Sequence, residues 1–341
     1  MAKFRNSGEV PKGDPVELHR RSHDSGALPT PILAASRGYS GQHYSRLTDV
    51  QTTSIPESDS EPVVLDRRIG DVLCELANLT SDQVESVVSY QRDNGTRFGE
   101  SAVALGLVSK EDVLYALSQQ FHYPYATEES RVHTPELVTL NEPFSARSEY
   151  FRALRSQLIM RAFVDGEARR AIAVISPDTG DGKTYCAANL AVSLAQLGGR
   201  TLLVDADMRG PRLHNVFGIS NKVGLSSILC GRSDRQVIQQ IPGVSSLFVL
   251  PVGTTPPNPL ELVERPAFGL LIRELASKFD HVLVDTPAAI YGSDSIVIAA
   301  RCGMTMLVAR NNRAKLLSLQ SMVGAFAESS VKIVGVVMND F

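Results

Sequence analysis

Nine consecutive residues, Ser176-Pro177-Asp178-Thr179-Gly180-Asp181-Gly182-Lys183-Thr184, limit what this chain can fold into more than any other stretch. The apolar run Ala171 to Ile175 precedes them, and from Lys183 to Leu197 apolar residues recur at helical spacing. A buried strand that turns through glycines into a helix leaves backbone N–H groups pointing at the helix N-terminus, where the macrodipole is positive. Such a turn holds phosphate: a lysine there reaches the β- and γ-phosphates, and the following hydroxyl ligates Mg²⁺. The candidate cradle is Gly180, Asp181, Gly182, Lys183, Thr184 and Tyr185. One position departs from the G-x-x-x-x-G-K-[ST] spacing, because Pro177 stands at the first glycine.

Two further segments give that loop its setting. Leu202-Leu203-Val204-Asp205-Ala206-Asp207 and Val282-Leu283-Val284-Asp285 are apolar strands that each end in carboxylates. Thr305–Val308 and Ile333–Val337 read as further short strands, Ser148–Arg161 as a helix, and Gly198-Gly199 as the stop of the helix that follows the loop. The succession predicts an α/β fold with a mostly parallel sheet covered by helices on both faces. Ligands of such sheets bind at the carboxyl ends of the strands, so Lys183, Thr184, Asp205, Asp207 and Asp285 can converge on one Mg-nucleotide.

The rest of the chain divides by composition. At 341 residues it exceeds one ordinary core, and 43% hydrophobic with 21% charged residues is a globular composition. A net charge of −3 gives no global basic field for nucleic acid, and neither a membrane-length apolar run nor a signal-peptide core is apparent. A cytoplasmic location is therefore expected. Cys74, Cys186, Cys230 and Cys302 are widely spaced and read as reduced core residues. Residues 1–62 are rich in Ser, Pro, Gly, His and Arg and read as a disordered tail. Residues 63–126 read as one small helical domain, because a 29-residue repeat lays Arg68-Ile69-Gly70 on Arg97-Phe98-Gly99, with Thr80 and Ser109 as N-caps of the second helix of each copy. Residues 127–145, with Pro135 and Pro143, read as a linker, and 146–341 as the α/β domain.

The α/β segment resembles the bacterial tyrosine kinases (BY-kinases), whose P-loop fold is related to the MinD and ParA ATPases. The nine-residue loop corresponds to their Walker A motif, Asp205-Ala206-Asp207-Met208-Arg209 to Walker A′, and Asp285 to the Walker B aspartate. Glu149, Arg152 and Arg155 match the family's E-x-x-R-x-x-R helix, which implies ring-like self-association, and Gly335-Val336-Val337-Met338-Asn339 matches the last strand, which implies that Asn339 lies near adenine. Asp178 stands where MinD-like ATPases carry a second lysine, which favours the kinase branch.

Residues 68–120 resemble the MshEN domain of secretion and pilus ATPases, some of which bind cyclic di-GMP; this implies a dinucleotide site at Arg68, Gly70, Arg97 and Gly99, with a helical docking module as the alternative. Together the two domains look like the EpsG type of chain-length determinant tyrosine kinase. What this implies is an ATP- and Mg²⁺-dependent protein-tyrosine kinase of exopolysaccharide synthesis, with Asp205 accepting the tyrosine proton. It also implies an inner-membrane polysaccharide co-polymerase as activator, through which the protein would sit at the membrane. The alternative is an ATP-switched assembly protein of the MinD type. The family's C-terminal tyrosine cluster has no counterpart after Tyr291, which leaves Tyr39 and Tyr44 as candidate acceptors.

Overall fold

A computed structural model describes residues 68–120, 134–163, 166, 168–232, 237–327 and 329–340. The expected tail, with Tyr39 and Tyr44, lies outside the described residues.

The repeat domain is four helices: α1 (Ile69–Ala77), α2 (Ser81–Asn94), α3 (Phe98–Ala104) and α4 (Lys110–Gln120). Both expected N-caps form, each as a reciprocal pair. Gln83 N–H donates to Thr80 Oγ1 at 3.4 Å while Thr80 N–H donates to Gln83 Oε1 at 2.9 Å, and Ser109 and Asp112 exchange the same bonds at 3.1 and 2.8 Å. The repeat also governs the core, since the fully buried Leu73 and Val87 of the first copy have Ala102 and Ala116 as their fully buried equivalents in the second. Neither copy can bury its apolar stripe alone; α1 packs on α4 and α2 on α3.

The α/β domain begins earlier than expected. α5 (Val138–Asn141) lies within the stretch read as linker, yet Leu137 and Leu140 are fully buried in the main core. Its anchor is Asn189, a fully buried polar residue of α7 (Lys183–Ala195). Asn189 Oδ1 accepts from the Thr139 N–H (3.0 Å) and hydroxyl (2.9 Å), and Asn189 Nδ2 donates to the Glu136 and Tyr185 carbonyls at 2.8 and 3.0 Å. α6 (Ala146–Ala162) follows, then β1 (Ala171–Ile175), α7 (Lys183–Ala195), β2 (Thr201–Asp205), α8 (Leu213–Phe217) and α9 (Leu225–Leu229). The chain continues through β3 (Gln239–Ile241), β4 (Val244–Leu250), α10 (Pro259–Glu264), α11 (Pro266–Lys278), β5 (His281–Asp285), α12 (Asp294–Cys302), β6 (Gly303–Arg310), α13 (Leu316–Ala327) and β7 (Lys332–Asn339).

The sheet order is β3-β4-β2-β5-β1-β6-β7, parallel except for the edge hairpin β3-β4. β1 shows why its run has no polar alternation. Ile172 and Val174 face the α6/α7 core while Ala171, Ala173 and Ile175 face the α11/α12 core, so both faces are dry. The hairpin escapes sequence reading because β3 has three residues, two of them Gln, and β4 carries Ser245 and Ser246. The cysteine expectation holds for Cys186 and Cys302, which are buried; Cys74 is half-buried and Cys230 exposed, and all four are free thiols.

Asn189→Ala should lower the unfolding free energy by about 2–3 kcal/mol, because it strands buried partners at Thr139 and Glu136. Chemical denaturation measures this, and limited proteolysis should cut near residues 134–141 first.

Candidate active site

The loop after β1 is shaped from inside. Ser176 Oγ donates to the Asp178 carbonyl (2.8 Å), Asp178 N–H donates to Asp181 Oδ2 (3.0 Å), and Asn339 Nδ2 donates to the Asp181 carbonyl (2.9 Å). Gly182 is demanded twice over. Its φ is +93°, and a Cβ there would lie 2.1 Å from Asn339 Nδ2. Asn339, expected beside adenine, therefore buttresses the loop.

α7 starts directly on that turn, so Lys183 and Thr184 occupy its first turn. Thr184 Oγ1 donates to Asp285 Oδ2 at 2.7 Å, and the β2–β5 register sets Asp205 beside Asp285. Both carboxylates are buried, but their hydrogen bonding differs. Asp205 accepts backbone N–H groups from Asp207 (3.1 Å), Arg212 (3.3 Å) and Leu213 (3.2 Å), whereas Asp285 Oδ1 is buried without a partner. Burial pushes Asp285 up to about 7 against the opposing pull of Lys183 and the Thr184 hydroxyl. Burial, reinforced by the Asp285 charge, pushes Asp205 well above the ordinary carboxylate range. An unpartnered buried carboxylate oxygen beside a hydroxyl is a set of hard oxygen donors that suits Mg²⁺. Among the described residues there is no group of three His, Cys, Asp or Glu that could hold a metal ion.

Above these groups opens a cavity of about 580 Å³ lined by Thr179, Gly180, Gly182, Lys183, Thr184 and Tyr185 of the loop and α7, by Asp207 and Arg212 from the segment between β2 and α8, and by Arg310 at the end of β6. Asp207 lines the cavity and Asp205 does not. The Tyr185 ring stands edge-on to Phe151 at 5.7 Å. Residues the motifs do not point to complete the wall: Glu136, ion-paired with Arg212, and Arg147 of α6. Asp207 Oδ1 caps its own turn by accepting Arg209 and Gly210 N–H (3.2 and 2.9 Å), and Arg209 forks onto the buried Asp294 at 3.2 and 3.0 Å.

The other candidate residues lie elsewhere. On α6, Glu149 is exposed and pairs with Arg152 at 2.6 Å; Arg152 also donates to the Pro143 carbonyl, and Arg155 reaches across to the Ser193 carbonyl of α7 at 2.8 Å. Two of the three thus already brace the helix within the chain. In the repeat domain, Arg68 and Arg97 precede the equivalent helices α1 and α3. Gly99 has a packing reason of its own, because a Cβ there would meet Val113 at 2.8 Å, while one on Gly70 would lie 3.9 Å from Phe98.

Residues 172–341 match the family described as the CobQ/CobB/MinD/ParA nucleotide binding domain. The chain is 32% identical to tyrosine-protein kinase YwqD of Bacillus subtilis over 203 residues, covering 60% of this chain and 85% of that protein. It belongs to the bacterial tyrosine-protein kinases. Tyrosine-protein kinase ptk of Acinetobacter johnsonii is 33% identical over 189 residues, which cover 55% of this chain but 26% of that protein, so the chain spans about a quarter of its longer relatives. In structure, the kinase domain of the Escherichia coli tyrosine kinase ETK matches with a TM-score of 0.57 at 30% identity, covering 62% of this chain and 82% of that one. The kinase domain here is thus the nucleotide-binding P-loop fold that the loop and its acidic strand ends predicted, and it accounts for the parallel sheet.

The raised Asp285 value carries a sign. Between the ordinary carboxylate range and pH 7 the folded state holds a proton that the unfolded state has released, so this group's contribution falls as pH rises through about 7. In EDTA, Asp285→Asn should therefore melt above wild type at pH 8, by roughly 2–4 °C for each kcal/mol of relieved burial, and the gap should narrow as the pH is lowered to 5. Scanning calorimetry at the two pH values measures it.

Proposed function

We propose that the kinase domain transfers the γ-phosphoryl group of ATP to protein tyrosines, in the control of exopolysaccharide polymerisation or export. The observation that carries this reading is the convergence of Lys183, Thr184 and Asp207 on one cavity, with Asp205 and Asp285 beneath it, in a chain of the tyrosine kinase family. Phosphoryl transfer asks a protein mainly for positioning and charge. The loop N–H groups and Lys183 hold the phosphates. Thr184 and Asp285 are the residues that would hold Mg²⁺, which when bound offsets the phosphate charge; Asp205, expected as a further ligand, stands beside Asp285 in the sheet. Asp205 was the expected proton acceptor, but its oxygens are buried and taken by three backbone N–H groups. Asp207, on the cavity wall, is the better placed group to take the tyrosine proton.

Among the described residues no helix is long and apolar enough to cross a membrane. An inner-membrane co-polymerase that brings the kinase to the membrane and activates it is accordingly part of the proposal. The ATP-switched scaffold reading is disfavoured by Asp178, an acidic residue where that class carries a lysine. Lys183→Ala should cut tyrosine phosphorylation by roughly 100-fold or more while leaving a folded protein with wild-type secondary structure by circular dichroism. Phosphotyrosine blotting with ATP and Mg²⁺ tests this, and a wild-type protein that yields ADP but no phosphotyrosine would favour the scaffold.

Self-association through α6 is the second part of the proposal, with Glu149 as the contact most open to a neighbour at 70% side-chain exposure. Glu149→Arg should shift the sedimentation profile toward monomer by charge repulsion, with no loss of stability. An unchanged profile would remove α6 from the interface.

A further inference from the structure

The charge balance of the cavity is uneven. Asp205, Asp207 and Asp285 gather at the β2 and β5 ends, and Asp181 lies buried within the loop. Against these acids and an incoming polyphosphate, Lys183 is the cation that the motif supplies. The other flank is β6, hydrogen-bonded to β1 on the side away from β5.

That flank ends in Arg310, the last residue of β6 and part of the cavity wall. Its Nη1 donates to the Gly180 carbonyl at 3.4 Å, which aims the guanidinium along the loop. Arg313 follows one turn later: Arg313 and Ala314 N–H both donate to the Arg310 carbonyl (3.3 and 2.9 Å), which brings the two side chains to the same side. The Arg313 Nη1 lies 3.2 Å from where a Cβ on Gly180 would be. The turn is also tied to the site's other support, because Asn311 N–H donates to the Asn339 carbonyl at 2.8 Å while the Asn339 side chain holds Asp181. Loop, β7 end and arginine turn are one hydrogen-bonded unit, which holds the Arg310 guanidinium against the phosphate loop. Arg147 and Arg212 line the same cavity from other elements, and Arg212 is ion-paired with Glu136.

We propose that Arg310, with Arg313 beside it, is a phosphate-binding cation of this site that grips a nucleoside polyphosphate from the β6 side, opposite the acidic strand ends. This rests on the nucleotide-dependent reading above. A guanidinium carries five N–H donors in a fixed fork that suits phosphate oxygens, a geometry an ammonium lacks.

Isothermal calorimetry on the full chain with ATP and with ADP, in Mg²⁺, tests it. Arg310→Ala should weaken both by roughly 10- to 100-fold, the usual loss for a charge-assisted contact. Arg310→Gln, which keeps the stem, should lose a similar amount, and both variants should melt like wild type without nucleotide. Arg301→Ala, whose guanidinium meets the Glu264 carbonyl away from the cavity, should bind normally. ATP affinity of both Arg310 variants within twofold of wild type would overturn the proposal while the nucleotide site stands. A wild type that takes up no ATP would overturn both.

Discussion

The hydrogen bond from the Thr184 hydroxyl to the buried Asp285 carboxylate joins residues 101 positions apart, and the functional half of the molecule is organised around it. It locks the first turn of α7 to the end of β5. That fixes where Lys183 points, because Lys183 precedes Thr184 on the same turn. β1 lies between β5 and β6 in the sheet, so the loop leaving β1 has an acidic strand end on one flank and an arginine on the other.

Placing Asp205 and Asp285 side by side in a dry sheet is costly, and the structure offsets the cost unevenly. Three backbone N–H groups satisfy Asp205, so it is a fixed part of the architecture. Asp285 keeps one oxygen without a partner. Its proton affinity is raised for the reason that makes it receptive to a cation: a buried negative charge lacks compensation until one arrives. On the proposed reading, the same uncompensated charge would be met by the metal of a metal-nucleotide.

The repeat domain follows a different logic. Leu73 and Ala102, like Val87 and Ala116, are repeat equivalents that meet in one small core, with large residues from one copy filling the space left by small residues in the other. Gly99 belongs to the same pattern, since its missing side chain admits Val113. A glycine shared by both copies can therefore answer to packing in one and leave space in the other.

The phosphate loop, the five parallel strands β1, β2, β5, β6 and β7, and the acidic strand ends were legible in the sequence because each is a local pattern: an apolar run, a glycine turn, a carboxylate where the run stops. Asp205, Asp285, Asn339 and Arg310 are each the last residue of their strand, so all four stand at strand ends. The edge hairpin β3-β4, the docking of residues 134–141 through Asn189, and the choice of Asp207 over Asp205 to face the cavity were decided only by tertiary structure. Each depends on partners far apart in sequence, such as Thr139 with Asn189 or Arg310 with Gly180, and hydrogen bonding over such separations leaves no periodic trace in the chain. What the sequence determined by itself is the chemistry at each strand end; which of those groups meet, and which face solvent, followed from the order in which the sheet brings the strands together.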